Sequence, residues 1–356
     1  MRFSSIFKII ILNIFISKMA HAAVCEERYP ADSEECQYVQ ELEQKAEQGD
    51  ESAQFALGSW YAEGRYVKPD YKLAIKWLEK AGKQGSDFSY FILGYHYNYG
   101  ENFPLSRQKA LEWYRKAAEL GDSSTQEILG DAYMYGDGFP QNTQLALEWY
   151  RRAAAQGLAE AQDAIGVMFM QGEGVSQDYQ QALAWYRKAA RQGLPAAQTH
   201  LGIMSAFGRG VAQSDRQAIA WYRKAAKQDF AKAQYQLGVA YSTGRGVPEN
   251  SRNALKWYLK AAEQGFAPAQ SALGEIYAHG RQGVPKDNKQ AYIWYYMASI
   301  YTEKSKDDCS ALIAERNRLK GTLTPDQLSE TYAAFDLIRR KINQSKEAKK
   351  IARKKY

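Results

Sequence analysis

Few side chains in this sequence could carry covalent or acid–base chemistry, and those few do not gather. Of the four histidines, His96, His200 and His279 lie past the amino-terminal segment, at unrelated positions, without the helical His pair of a zinc site. A metal centre needs several thiolate, imidazole or carboxylate ligands that converge, so neither metal nor cofactor is expected. No nucleophile elbow and no phosphate-cradling glycine loop occurs. The carboxylates are scattered along the chain, and nothing selects a pair for general acid and base. The cysteines are Cys25, Cys36 and Cys309. In an oxidising compartment the close pair, Cys25 and Cys36, would staple the amino-terminal segment, worth roughly 2–3 kcal/mol for so short a loop. Cys309 is then left as an idle or buried thiol rather than a nucleophile.

The chain is rich instead in aromatic residues, with 26 Tyr and 8 Trp among 356 residues. They are periodic. Trp77, Trp113, Trp149, Trp185, Trp221 and Trp257 stand 36 residues apart, and Trp294 follows after 37. A second comb of Leu57, Leu93, Leu129, Ile165, Leu201, Leu237 and Leu273, each followed by Gly, keeps the same step. Two combs in phase specify seven tandem units, each too small to bury its apolar face alone.

Each unit reads as two helices. In the first, Ala53, Leu57, Tyr61 and Gly64 fall on one face of a 3.6-residue period; in the second, Ala74, Trp77 and Ala81 do so. Seven residues before each Trp stand Asp70, Ser106, Asn142, Asp178, Ser214, Asn250 and Asp287, all residues that cap a helix amino terminus. Gly49, Gly85, Gly121, Gly157, Gly193 and Gly265 follow the second helices, where a left-handed residue ends a helix; Asp229 is the exception. The Gly after each Leu and paired alanines such as Ala153/Ala154 remove bulk, so helices can approach closely while Trp and Tyr fill the remaining space.

The motif Leu-Gly-x-x-Tyr-x-x-Gly-x-Gly followed by Ala-x-x-Trp-Tyr-x-x-Ala-Ala resembles the Sel-1-like repeat family, relatives of the tetratricopeptide solenoids. The resemblance runs from Gly49 to about Ser299. It implies an all-α, right-handed superhelical solenoid of seven 36-residue helix-turn-helix repeats with helical caps, acting as an adaptor or scaffold. Departures fall at Gly64-Arg65-Tyr66, at Asn102 in place of a second Gly, and at an extra residue near Gln282.

The ends are of other kinds. Arg2 and Lys8, an apolar run from Ile9 to Ile16 and Ala20-His21-Ala22 make a secretory-signal pattern over residues 1–22. The run is too short to cross a bilayer, so no transmembrane helix is expected in the mature chain. Lipid attachment at Cys25 is the alternative, against which Val24 stands where a small residue belongs. Residues 23–48 read as an amino-terminal cap, 49–302 as the repeats, and 303–342 as carboxyl-terminal capping helices, the last opened by the capping box Thr324-Pro325-Asp326-Gln327. Residues 343–356 read as a basic, disordered tail. The net charge of +7 is largely terminal: residues 339–356 hold nine Lys or Arg against one Glu, leaving 38 cations against 39 anions elsewhere. That balance gives the repeats no nucleic-acid footprint.

Positions that vary between repeats point to a partner surface. Two before the Leu, and two, five and six after it, side chains change freely along one stripe of the first helix: Phe55, Phe91, Tyr95, Tyr99, Tyr135, Met170, Ile203, Phe207 and Tyr235. Phe91 to Tyr235 of this set are the candidate residues for a protein or peptide partner; the alternative is that they complete inter-repeat packing. The second helices repeat Arg115/Lys116, Arg151/Arg152, Arg187/Lys188 and Arg223/Lys224, a solvated face or a contact for an anionic envelope polymer. Three function classes therefore stand: a non-enzymatic periplasmic or secreted protein scaffold, an envelope-polymer binder, and a cell-wall-active enzyme with a hidden site. The repeat architecture favours the first.

Overall fold

A computed structural model describes residue 30 and residues 33–100, 102–281, 283–302 and 310–354. The expected signal segment, Cys25 and Cys309 lie outside these. Among the described residues there are helices and one isolated bridge, Arg281 to Val284. The class is the expected all-α solenoid.

The seven first helices are α2 (Glu51–Glu63), α4 (Asp87–Tyr99), α6 (Ser123–Tyr135), α8 (Ala159–Gln171), α10 (Pro195–Phe207), α12 (Ala231–Thr243) and α14 (Ala267–His279). The second helices alternate with them: α3 (Tyr71–Lys83), α5 (Arg107–Leu120), α7 (Thr143–Ala155), α9 (Tyr179–Arg191), α11 (Asp215–Lys227), α13 (Ser251–Ala262) and α15 (Asn288–Thr302). Ahead of them stands α1 (Glu34–Glu47), and behind them α16 (Ser310–Lys320) and α17 (Pro325–Lys354). The caps act as the sequence predicts: Asp70, Asn142 and Asp178 side chains accept amide protons of the first turns of α3, α7 and α9, and Asp287 accepts from the Gln290 amide at 3.0 Å.

The chain forms two compact units. The first comprises residues 1–168 and 172–176, the second 169–171 and 177–356. In the first unit, α1 packs on α2 and closes the stack: Tyr61 Oη donates to Glu43 Oε1 at 3.1 Å, and Cys36, Val39 and Ala46 are buried. In the second, Phe335 and Ile342 of α17 close over Met297 of α15, and the predicted capping box forms, with Thr324 N donating to Gln327 Oε1 and Gln327 N to Thr324 Oγ1. The helix expected to end near Ile342 continues to Lys354. Residues 343–354 contain Ala, Lys, Glu and Arg but neither Gly nor Pro, so nothing breaks the helix.

Close approach within a repeat is made by Gly and Tyr. A methyl group on Gly130 would stand 2.4 Å from the Tyr150 ring, and one on Gly202 equally close to Tyr222. The sequence predicts that Trp and Tyr alike fill the space beside these glycines. In the structure Tyr114, Tyr150, Tyr186, Tyr222 and Tyr258 are all buried, while the tryptophans divide: Trp77, Trp149 and Trp294 are buried, and Trp113, Trp185, Trp221 and Trp257 are half-buried.

Glutamines outside the Leu and Trp combs tie repeat to repeat. Gln126 Nε2 donates to the Ala118 carbonyl at 3.0 Å, and Gln156 Nε2 donates to the Gly121 carbonyl and to Gln126 Oε1. Gln228 makes the same pair of bonds to Gly193 and Gln198. Recurrence of Ala-Gln and Gln-Gly every 36 residues is the signal that could have found them. The irregular Asp229 belongs to this network. It adopts a left-handed φ of 58°, and its carboxylate accepts from Gln234 (2.8 Å) and Gln264 (3.3 Å), as the Gly193 carbonyl does from Gln198 and Gln228.

Candidate functional site

The stripe expected to face a partner divides in two. Phe91 is half-buried, stacked on Phe88 with ring centroids 5.7 Å apart and leaning on Tyr114 at 5.8 Å. Ile203 packs on the core of Ala218, Ile219 and Tyr222. Tyr235 lies against Tyr258 at 5.7 Å and Phe266 at 5.5 Å. Met170 is half-buried near the end of α8. These four contribute to packing as well as to surface. Tyr95 is half-buried with its ring 4.6 Å from that of Tyr99. The exposed members are Tyr99, Tyr135 and Phe207, at 47%, 75% and 58% exposure. Each is the last residue of its first helix.

In the first unit the ends of α4 and α6 are held side by side. Arg107 donates to Asn98 Oδ1 at 3.0 Å and pairs with Asp137 at 2.7 Å, bridging the residue before Tyr99 to the turn after Tyr135. In the second unit Phe207 meets two guanidinium groups, Arg209 at 5.4 Å and Arg245 at 5.7 Å from its centroid. The two exposed aromatic sites therefore differ in charge.

That difference belongs to a segregation of charge between helices. The seven first helices contain one Lys or Arg between them, Lys232, yet they hold Glu51, Glu63, Asp87, Glu127, Asp131, Glu160, Asp163 and Glu275. Within the repeats, the second helices hold most of the cations. Glu127, two residues before Leu129, is half-buried. Burial first, then the neighbouring carboxylates of Asp131 and Glu160, push its pKa up to about 7 from an ordinary 4.5. Asp131 accepts the Tyr150 hydroxyl at 2.6 Å, and burial with that bond raises the Tyr150 phenol as well. A carboxyl that titrates near neutrality could serve as an acid or base, but no nucleophile accompanies it. What the group can do is attract a cation.

The basic ladder of the second helices is occupied by its own tryptophans. Lys116 and Lys188 sit 3.9 Å above Trp113 and Trp185; Arg152 and Lys224 sit 4.4 Å above Trp149 and Trp221. The spacing of three residues sets each cation over the ring one turn earlier, a contact worth about 0.5–1 kcal/mol where exposed. Arg115 instead donates to Tyr133 Oη.

In the second unit a cavity of about 520 Å³ lies between α13, α15 and α17, lined by Lys260, Glu263, Trp294 and Lys341 with Asp229 and Ile338. Its cations and carboxylates balance. Among the described residues no group of three His, Cys, Asp or Glu could hold a metal ion, and no helix is long and apolar enough to cross a membrane. Cys36 is buried and disulfide-bonded; its expected partner, Cys25, is outside the described residues.

Comparison with protein families matches the Sel1 repeat at residues 51–86, 88–122, 123–158, 159–194, 195–230, 231–266 and 267–299. Two solved structures are similar over most of the chain. One is a Sel1 repeat protein from Oxalobacter formigenes, 35% identical, with a TM-score of 0.66 over 79% of each chain. The other is c5321, a protective antigen of uropathogenic Escherichia coli strains displaying an SLR fold, 32% identical, with a TM-score of 0.61. That match covers 85% of this chain but 63% of the antigen, so this chain spans less than two thirds of the longer protein. Comparison with curated proteins returns no match.

Proposed function

The chain belongs to the Sel1 repeat family, and from that premise we propose that it is a non-enzymatic scaffold of the bacterial envelope or secreted space that holds a protein partner on its first helices. Sel1 repeat folds are generally interaction scaffolds. One observation carries the reading: Tyr99 and Tyr135, in consecutive repeats, stand exposed at ends of α4 and α6 that Arg107 keeps together. Packing does not require an aromatic residue there, since other repeats hold Glu63, Gln171 and Thr243 at the same position. Tyrosine presents a large, stiff contact area at small entropic cost, and such residues dominate protein interfaces. The location in the envelope or outside it is supported by the signal pattern of residues 1–22.

A photo-crosslinking residue placed at position 99 or 135 in the producing cell tests the proposal. A discrete protein adduct from these positions, absent when the residue replaces Lys188 on a second helix, is the expected result. Adducts from position 188 alone would overturn it. The second-helix cations gain no added support as a polymer site, because Lys116, Arg152, Lys188 and Lys224 already lie over indole rings.

A further inference from the structure

We infer that the first-helix face of the amino-terminal unit receives a cationic peptide segment, one that sets a Lys or Arg beside an apolar side chain. The inference rests on the docking face proposed above and names the chemistry of its occupant.

Two features lie next to each other on this face. Tyr99 and Tyr135 offer exposed aromatic area at the ends of α4 and α6. One turn back from Tyr135 lies Asp131, and one further turn back Glu127, with Glu160 of α8 within electrostatic range of Glu127. Tyr135 in turn feels Asp131, Glu173 and Glu127. Aromatic surface and negative charge therefore share one patch. The first helices of this unit carry no Lys or Arg at all, and the nearby cation, Arg107, is already engaged by Asp137 and Asn98.

The physical consequence is a face at which charge is uncompensated in the free protein. Three carboxylates crowd together, and burial weakens the solvent that would screen them. An incoming ammonium or guanidinium would relieve that repulsion, while its neighbouring apolar side chain covers the tyrosine rings. An anionic segment would add a fourth like charge, so the face also excludes wrong partners. Binding should couple to a proton. Near pH 6 Glu127 is largely protonated, and the cation must draw that proton off. The groups facing Glu127 are Asp131 and Glu160, with Tyr135 and Tyr150 beside them, and none of these supplies a competing positive charge.

The test uses the mature full chain and three labelled twelve-residue peptides. Their repeating units are Lys-Ala-Leu, Gln-Ala-Leu and Glu-Ala-Leu, and binding is followed by fluorescence anisotropy. The Lys peptide should bind at least tenfold tighter than the Gln peptide at pH 8, and the Glu peptide should be weakest. Glu127→Gln with Asp131→Asn should remove most of that tenfold preference. Glu249→Gln with Asp336→Asn, which removes two exposed carboxylates of the second unit, should leave it intact. Affinity for the Lys peptide should rise several-fold from pH 6 to pH 8, and Glu127→Gln alone should flatten the rise. If both double variants weaken the Lys peptide alike, attraction is diffuse and the inference fails. If all three peptides bind equally and Tyr99→Ser with Tyr135→Ser abolishes the binding, the cationic assignment fails while the docking face stands. If no peptide binds and positions 99 and 135 yield no crosslink, both fall.

Discussion

Tyr90 lies against Gly82 so closely that a methyl group on Gly82 would stand 2.4 Å from its ring. In the next repeat the equivalent pair is Ala118 and Gln126, whose amide donates to the Ala118 carbonyl and is itself bonded by Gln156. The repeat of Tyr90 carries Leu120 where that third residue belongs. Three positions have thus changed together: the ring needs the glycine, and with no side-chain amide at position 90 a glutamine at position 120 has lost its partner. The Tyr90 ring stacks on Trp113 at 5.7 Å, with Lys116 over both.

This coupling predicts strong non-additivity. Gly82→Ala alone should destabilise the protein by about 1–3 kcal/mol, the usual result of overpacking. The triple change Gly82→Ala, Tyr90→Gln, Leu120→Gln should recover most of that loss by restoring the glutamine pair. Urea unfolding of the two variants decides it; equal losses would show that the three positions are independent.

A related prediction reverses a propensity. Gly130 lies within α6, and in an isolated helix alanine is favoured over glycine by about 1 kcal/mol. Here the added methyl would meet the Tyr150 ring at 2.4 Å, so Gly130→Ala should destabilise by about 1–3 kcal/mol. Calorimetric melting should show a lowered Tm; a raised one would mean that the seam has room.

Glu127 makes stability depend on pH in a stated direction. Its folded pKa of about 7 lies above the ordinary 4.5, so across that window the folded state holds a proton that the unfolded chain has lost. Stability from this group is present below pH 4.5 and declines as pH rises to about 7, by on the order of 1–2 kcal/mol at a half-buried site. Glu127→Gln should match the parent at pH 4.5 and exceed it at pH 8, by about 1–3 °C in Tm for a protein of this size. Parallel melting curves at both pH values would contradict the assignment.

Much of this molecule is legible in its sequence, because the features that specify it are local and recur. The helix pairs follow from Leu57, Gly58 and their successors, the starts from Asp70 or Asn142, the ends from Gly121 or Gly157. Even the departures keep the turn: Tyr66 and Asn102 adopt φ of 63° and 58° where other repeats place glycine. What periodicity does not specify is which of two adjacent aromatic residues is covered. Trp221 and Tyr222 look alike to a pattern, and the gap left by Gly202 selects the tyrosine. The partner stripe divides for the same reason, since Phe91 meets Tyr114 of its own repeat while Tyr135, the last residue of α6, stays 75% exposed. The scarcity of Lys and Arg in the first helices was readable from the start. It is hidden by a total charge to which the second helices and the carboxyl terminus contribute most.

The measurement that tests the central claim most directly is made on Tyr99→Ser with Tyr135→Ser. Calorimetric titration against the partner segment recovered from the position-99 crosslink should show at least a tenfold loss of affinity, as for central aromatic anchors. Tm should stay within about 2 °C of the parent, since these exposed rings leave the cores intact. Unchanged affinity would contradict the account, and so would a Tm lowered by many degrees, which would make the two rings part of the fold rather than of its binding face.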